Sequence, residues 1–314
     1  MKQIAYLLLS GIIGLAACQN KLSKQTDKNI QDIDNIKQES NIDSLKQNAK
    51  FNNVKQVLAQ TTDPLKRIKL HQQIIDIKIA GSSPEERCQL FDDYSTEVQK
   101  ELNKLNERES HYIEHYYDYR IDDEGNEKEP HDSIKKKDLF YKKAGIDIID
   151  LGEGIVELTL QTRFYTKYVK QLPKYYQDYW YLIKDAENIA PDACLIITWH
   201  ELSNLLARYE AYVKEYPTQK ELFCRLKDDY KFLQSAFLFG VDNTSTVDFD
   251  SVDKEVKEEW KRFIKTYPDS PTTPFIKKML LLNKYEDMYS IQQKLIRFQE
   301  TSNYPLLKTC TFKR

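Results

Sequence analysis

Residues 209–217, YEAYVKEYP, and residues 260–268, WKRFIKTYP, share one pattern: aromatic, two polar or small residues, aromatic, β-branched, Lys, polar, Tyr, Pro. Residues three and four apart share a helix face, so the aromatics form an inward stripe. The Tyr-Pro pair then stops the helix, because proline pushes the residue before it out of the helical region. An amphipathic helix follows each stop; Leu222, Leu226, Tyr230, Leu233 and Phe237 line the first of these. The reading is of two helix–turn–helix units set 51 residues apart, with 240–250 (GVDNTSTVDFD) as an insertion between them. A chain built this way is mainly α: an array of antiparallel helical hairpins.

Working outward, helical punctuation continues toward the N-terminus. Leu202, Leu205, Tyr209, Tyr212, Val213 and Tyr216 line one helix, for which Pro191-Asp192 offers a start. Tyr175, Tyr176, Tyr179, Trp180 and Ile183 mark the helix before it, and Phe164, Tyr165, Tyr168, Val169 and Leu172 one closed by Pro173. Ile146–Leu151 and Ile155–Leu160 change to a β-branched, partly alternating pattern around Gly152-Glu153-Gly154, which reads as one small hairpin. The 120–138 stretch is charged and reads as an exposed loop. Asp63-Pro64 and Ser83-Pro84-Glu85-Glu86 are helix starts, the second opening a helix expected to reach about Tyr117 with Phe91, Val98, Leu105 and Tyr112 on one stripe. Residues 18–62, rich in Lys, Asn, Gln and Asp with thinly spaced Ile, read as a flexible tether, disordered or transiently helical. The expected organisation is 1–17 leader, 18–62 tether, 63–140 helical segment with its charged loop, and 141–314 hairpin plus helical array.

The composition excludes several function classes. With 47 Lys+Arg against 49 Asp+Glu the net charge is −2, so no nucleic-acid surface is indicated. Eight Gly and ten Pro exclude a collagen-like chain. No Cys-x-x-Cys occurs among the five cysteines, so neither a redox dithiol nor a zinc ribbon is indicated.

Residues 1–20 read MKQIAYLLLSGIIGLAACQN. Lys2 supplies a positive start and Ile4–Leu15 an apolar stretch too short for a permanent span, which needs about 20 residues. Leu15-Ala16-Ala17-Cys18 then resembles the lipobox of bacterial lipoproteins. The resemblance implies cleavage before Cys18, lipidation of its thiol, and a membrane-anchored place in the cell envelope. Gln19, where an Asp would imply inner-membrane retention, favours the outer membrane. Cys88, Cys194, Cys224 and Cys310 remain, either as disulfides, with three pairings open, or as isolated small apolar residues. The paired units of the C-terminal half are similar to tetratricopeptide-type helical hairpins, although their spacing exceeds the usual 34-residue period.

Four constellations could carry chemistry. His111-Tyr-Ile-Glu114-His115 places two imidazoles on one helix face and resembles the inverted zinc motif of pitrilysin-like peptidases. That resemblance implies zinc on His111 and His115, with Glu114 activating water; His131 lies nearby in sequence. Asp242, Asn243, Asp248, Asp250 and Asp253 offer oxygen ligands for calcium, without EF-hand spacing and with Asp250 or Ser251 available as a helix cap. The run 175–181 (YYQDYWY) reads as a core face, with Tyr181 falling off it as a candidate glycan or peptide contact. His200-Glu201 has no accompanying nucleophile elbow. The function expected is a non-enzymatic scaffold or protein-binding module partnering another envelope protein, with a zinc hydrolase or a peptidoglycan-binding lipoprotein as alternatives. No catalytic residue and no obligatory cofactor is expected.

Overall fold

The computed structural model describes residues 45–152, 154–248, 251–282 and 286–308. The chain divides into two compact units, Met1–Thr62 and Asp63–Arg314, and the segment boundary read at 140/141 falls inside the second. In the first unit, residues 45–60 form a regular helix, α1, so this part of the expected tether is helical. Residues 18–44, including Cys18, lie outside the described residues. No helix among the described residues is long and apolar enough to cross a membrane.

The second unit opens where the punctuation placed it. Asp63 accepts the Lys66 N–H at 2.9 Å and Pro64 sits in the first turn of α2 (Pro64–Lys78). Ser83 and Glu86 close a reciprocal capping box on α3 (Pro84–Arg108). Leu65, Ile68 and Ile75 of α2 are buried, as are Phe91, Tyr94, Val98, Leu102 and Leu105 of α3, and the two helices pack as a hairpin. The stripe from Phe91 to Tyr112 is buried as expected, but the helix is not continuous. Glu109 leaves the helical region (φ −100°, ψ 14°), its carboxylate held by Arg108 and Lys137, and a separate turn, α4 (Ser110–Glu114), carries Tyr112.

Residues 120–138 are only partly loop. Asp122 gathers the Glu124 and Asn126 N–H groups around Gly125, and then α5 (Asp132–Ala144) begins. Gly145 ends α5 at φ 86°, where a Cβ would meet the Phe164 ring at 2.4 Å. The hairpin follows as β1 (Ile146–Gly152) and β2 (Ile155–Leu160), antiparallel with Ile148 opposite Leu158 and a bulge between Asp150 and Gly152. Val156, Leu158 and Leu160 are buried. Asn106 of α3 caps the free edge of β2: its amide donates to the Leu158 carbonyl (3.1 Å) and accepts the Leu158 N–H (2.8 Å).

The array continues through α6 (Arg163–Val169), α7 (Lys174–Ala186), α8 (Trp199–Glu215), α9 (Lys220–Arg225) and α10 (Lys227–Phe239). The start read at Pro191-Asp192 is corrected. Those residues make only a 3-10 turn, with Asp192 at φ 50°, and α8 begins at a Thr198/Glu201 capping box. Beyond the one hairpin expected, two further antiparallel pairs of two-residue strands form, β3/β4 (Gly240–Val241, Thr244–Ser245) and β5/β6 (Val247–Asp248, Ser251–Val252). The cap of α11 (Lys254–Thr266) is Asp253, not Asp250 or Ser251. The helices α12 (Thr273–Met279) and α13 (Glu286–Thr301) and a 3-10 turn at Pro305–Leu307 follow, giving a mainly α structure with thirteen α-helices among the described residues.

The two matched units share their cap geometry and ring packing. Tyr216 ends α8 at φ −123°, ψ 58°, and Tyr267 ends α11 at φ −126°, ψ 62°, each N–H returning to an aromatic residue four back, Tyr212 or Phe263. The ring pairs Tyr212–Tyr216 and Phe263–Tyr267 have the same centroid separation, 5.0 Å, and the same 55° tilt. The aromatic face of 209–216 is inward: Tyr209, Tyr212 and Val213 are buried.

Candidate functional site

The short helix α4 brings His111 and His115 together, with ring centroids 4.5 Å apart. Each ring is oriented through Nδ1. His115 Nδ1 lies 2.8 Å from Asp118, and His111 Nδ1 lies 3.4 Å from the Tyr119 hydroxyl. A carboxylate only accepts, so His115 carries a hydrogen on Nδ1. Glu114 is exposed on the same turn. His131 is used otherwise, capping α5 by accepting the Ser133 N–H at 3.3 Å. Among the described residues no group of three His, Cys, Asp or Glu side chains could hold a metal ion.

Among the described residues of the acidic insertion, Asn243 and Asp253 are engaged with backbone groups. Asn243 donates its side-chain amide to the Asp192 carbonyl at 2.6 Å, and Asp253 accepts the Glu255 and Val256 N–H groups. Asp242 is exposed, Asp250 lies outside the described residues, and nothing is described of the Asp248 side chain.

Tyr181 is half-buried and lines a cleft of about 420 Å³ between α7 and α8, facing Lys174, Asp178, Asp185, Arg208 and Tyr216. Arg208 pairs with Asp185 at 2.6 Å, and the Tyr216 hydroxyl donates to Asp178 at 2.6 Å. A second cleft, of about 460 Å³, opens between α3, α7 and α9. There Arg225 grips Asp92 through two bonds of 2.9 Å, and Tyr176 donates to the same carboxylate. The Asp92 carboxylate holds the Arg225 guanidinium well above its ordinary range. Cys88 stands on this wall, its sulfur 3.7 Å from the Tyr175 hydroxyl; burial pushes its thiol up, making it a poor nucleophile.

Two polar clusters escaped the sequence pattern, because their members lie about sixty residues apart. In the first, Glu259 is buried between α8 and α11 and takes Arg262 at 2.9 Å through Nε, His200 at 3.2 Å and the Ser203 hydroxyl. Burial opposes its ionisation, but the Arg262, Ser203 and His200 hydrogen bonds outweigh that and leave the carboxyl below its ordinary range. Ser203 has no exposed surface and gives its hydrogen to a carboxylate, not to an imidazole, so this is a strut rather than an acyl-transfer site. In the second, one oxygen of buried Glu210 accepts Tyr230 (3.0 Å), Ser270 (2.9 Å) and Thr272 (3.2 Å). Gln234 extends the network to Gln299 of α13 at 3.3 Å. Burial raises the Glu210 carboxyl above its ordinary value despite these bonds.

Among the thiols, Cys224 is disulfide-bonded while Cys88 and Cys194 are free; Cys310, like Cys18, lies outside the described residues. Compared with known proteins, the chain matches no protein family, no curated protein and no solved structure.

Proposed function

We propose that this chain is a lipid-anchored envelope protein, held at the outer membrane through Cys18, that works as a non-enzymatic scaffold binding another envelope protein. The observation carrying the reading is the pair of matched helix–Tyr-Pro–helix units, equal in cap angles and ring packing, within an array whose helices part at open clefts. Stacked hairpins of this kind, similar to tetratricopeptide-type repeats, present extended surfaces suited to a protein partner. The Leu15-Ala16-Ala17-Cys18 leader supports the placement. Mass spectrometry of the protein from bacterial membranes is expected to find residue 18 as the acylated first residue, with Cys18→Ser leaving the leader attached. Photocrosslinking from position 181 is expected to trap one defined envelope protein, with Arg208→Glu weakening the yield. Crosslinks to peptidoglycan alone would instead favour a glycan-binding role for Tyr181.

A second reading is metal binding at His111 and His115, as a zinc hydrolase with Glu114 as base would need. The Asp118 contact on His115 Nδ1 favours it, since an outer carboxylate on the second ring nitrogen is what orients a metal-ligating His. Zinc titration followed calorimetrically is expected to show binding lost in His111→Ala and weakened about tenfold in Asp118→Asn. Equal binding by all three chains removes this reading.

A further inference from the structure

The outer face of α5 combines exposed lysines with exposed apolar side chains. The 13 residues of the helix, DSIKKKDLFYKKA, include five Lys. Lys136, Leu139, Phe140 and Lys143 fall at i, i+3, i+4 and i+7 and therefore share one face. Leu139 is 50% exposed and Phe140 55% exposed, side by side, with both lysines exposed around them. The opposite face is fully engaged. Tyr141 is buried in the core, and Asp138 is turned inward onto Tyr112 and Arg120. Lys137 lies over the Tyr112 ring at 4.5 Å and pairs with Glu109 at 2.6 Å. With Asp138 withdrawn, Asp132 at the first turn is the only acid left outside on this helix. Lys136 and Lys143 make no ion pair among the described residues.

We propose that this face of α5 rests on a bilayer surface containing anionic phospholipid, with Leu139 and Phe140 entering the headgroup–acyl boundary and Lys136 and Lys143 on the phosphates. The occupant follows from charge complementarity. Two apolar side chains flanked by unpaired ammonium groups match an interface that is apolar below and negative above. The long lysine stems lie along the apolar patch while their heads reach the phosphates. The proposal rests on the lipid-anchor reading for the source of the bilayer: an acylated Cys18 holds the body within reach of lipid, where a weak face is sufficient.

The test places tryptophan at position 140 in the mature chain, prepared both acylated and as Cys18→Ser. The three native tryptophans, Trp180, Trp199 and Trp260, are buried, so a lipid-dependent change reports residue 140. With vesicles of phosphatidylcholine containing phosphatidylglycerol, emission is expected to shift to the blue and to be quenched by brominated acyl chains. Pure phosphatidylcholine is expected to give at least tenfold weaker binding of the Cys18→Ser chain. Lys136→Glu with Lys143→Glu is expected to abolish the difference, while far-ultraviolet dichroism stays unchanged. No quenching in the anionic vesicles overturns the proposal. So does an emission already blue-shifted without lipid as protein concentration rises, which would mean that a second copy covers the face. Mass spectrometry of residue 18 reports the anchor separately, so an unmodified Cys18 with intact vesicle binding would sink the anchor reading and leave the α5 face standing.

Discussion

Glu210 is the buried acid whose state the fold decides. Three hydroxyl donors converge on one of its oxygens, yet burial keeps the carboxyl above its ordinary value of 4.5. The sign follows from linkage. A carboxyl raised in the folded state favours the protonated form there, so its contribution is fully present below the unfolded value and is lost as pH rises through the folded one. Glu101 and Glu259 behave oppositely. Both are held low, Glu101 by Arg67 and Lys104 against the cost of burial, so their contributions fade on acidification. The variant Glu210→Gln keeps an acceptor for the hydroxyls and removes the titration. Its melting temperature relative to the parent is expected to rise between pH 4 and pH 8. Because Glu101 and Glu259 are the same in both proteins, the difference isolates residue 210. A difference that is flat or falls across that range would show that the carboxylate is well solvated where it stands. This residue was a plain polar position in the aromatic stripe of 209–217. Nothing in its local sequence separates it from an exposed Glu, because its partners come from residues 230, 270 and 272.

The hairpin β1/β2 shows how one element protects another. A two-stranded sheet has two open edges, and an open edge invites pairing with other chains. Asn106 closes one by meeting both polar groups of Leu158 with a single amide, much as a neighbouring strand would. Asn106→Ala is expected to cost about 2 kcal/mol, because it strands a buried N–H and C=O together, and to speed amide exchange at Leu158. Asn106→Asp keeps the acceptor and loses the donor, so it should fall between the two. Exchange at Leu158 unchanged in both variants would mean that the edge is held by packing alone. Elements with punctuation of their own were legible in the sequence: α2 and α3 from Asp63-Pro64 and Ser83-Pro84, the hairpin from its β-branched runs, and the Tyr-Pro stops of α8 and α11. The helix α5 was hidden because its lysines and outward Leu139 and Phe140 blur the inward period, leaving Ile134 and Tyr141 as its only core-facing apolar positions before Ala144. The start of α8 was placed too early because a Pro-Asp pair outweighed Thr198-Trp-His-Glu201, itself a capping-box sequence. At the candidate site the His111/His115 spacing was visible. Asp118 and Tyr119 were not, since what they orient is a ring nitrogen rather than a ligand.

At the scale of the molecule, the proposed lipidation of Cys18 bears on the disulfide at Cys224. Cys224 sits on α9, against which the 3-10 turn Pro305–Leu307 packs, with Leu306 and Leu307 buried. It is disulfide-bonded while Cys88 and Cys194 are free. Acylation of a thiol and a disulfide through it exclude each other. Under the proposed lipidation of Cys18, the Cys224 bond is therefore expected to run to Cys310. Peptide mapping without reduction is expected to return Cys224–Cys310, with Cys194 alkylated quickly and half-buried Cys88 slowly. A closed loop between 224 and 310 stabilises by about 4.6 kcal/mol in the chain-entropy view, so reduction should lower the melting temperature and release the C-terminal turn first. A Cys18–Cys224 pair would remove the anchor and the pairing in one measurement, and the envelope scaffold would have to be rebuilt from its clefts alone.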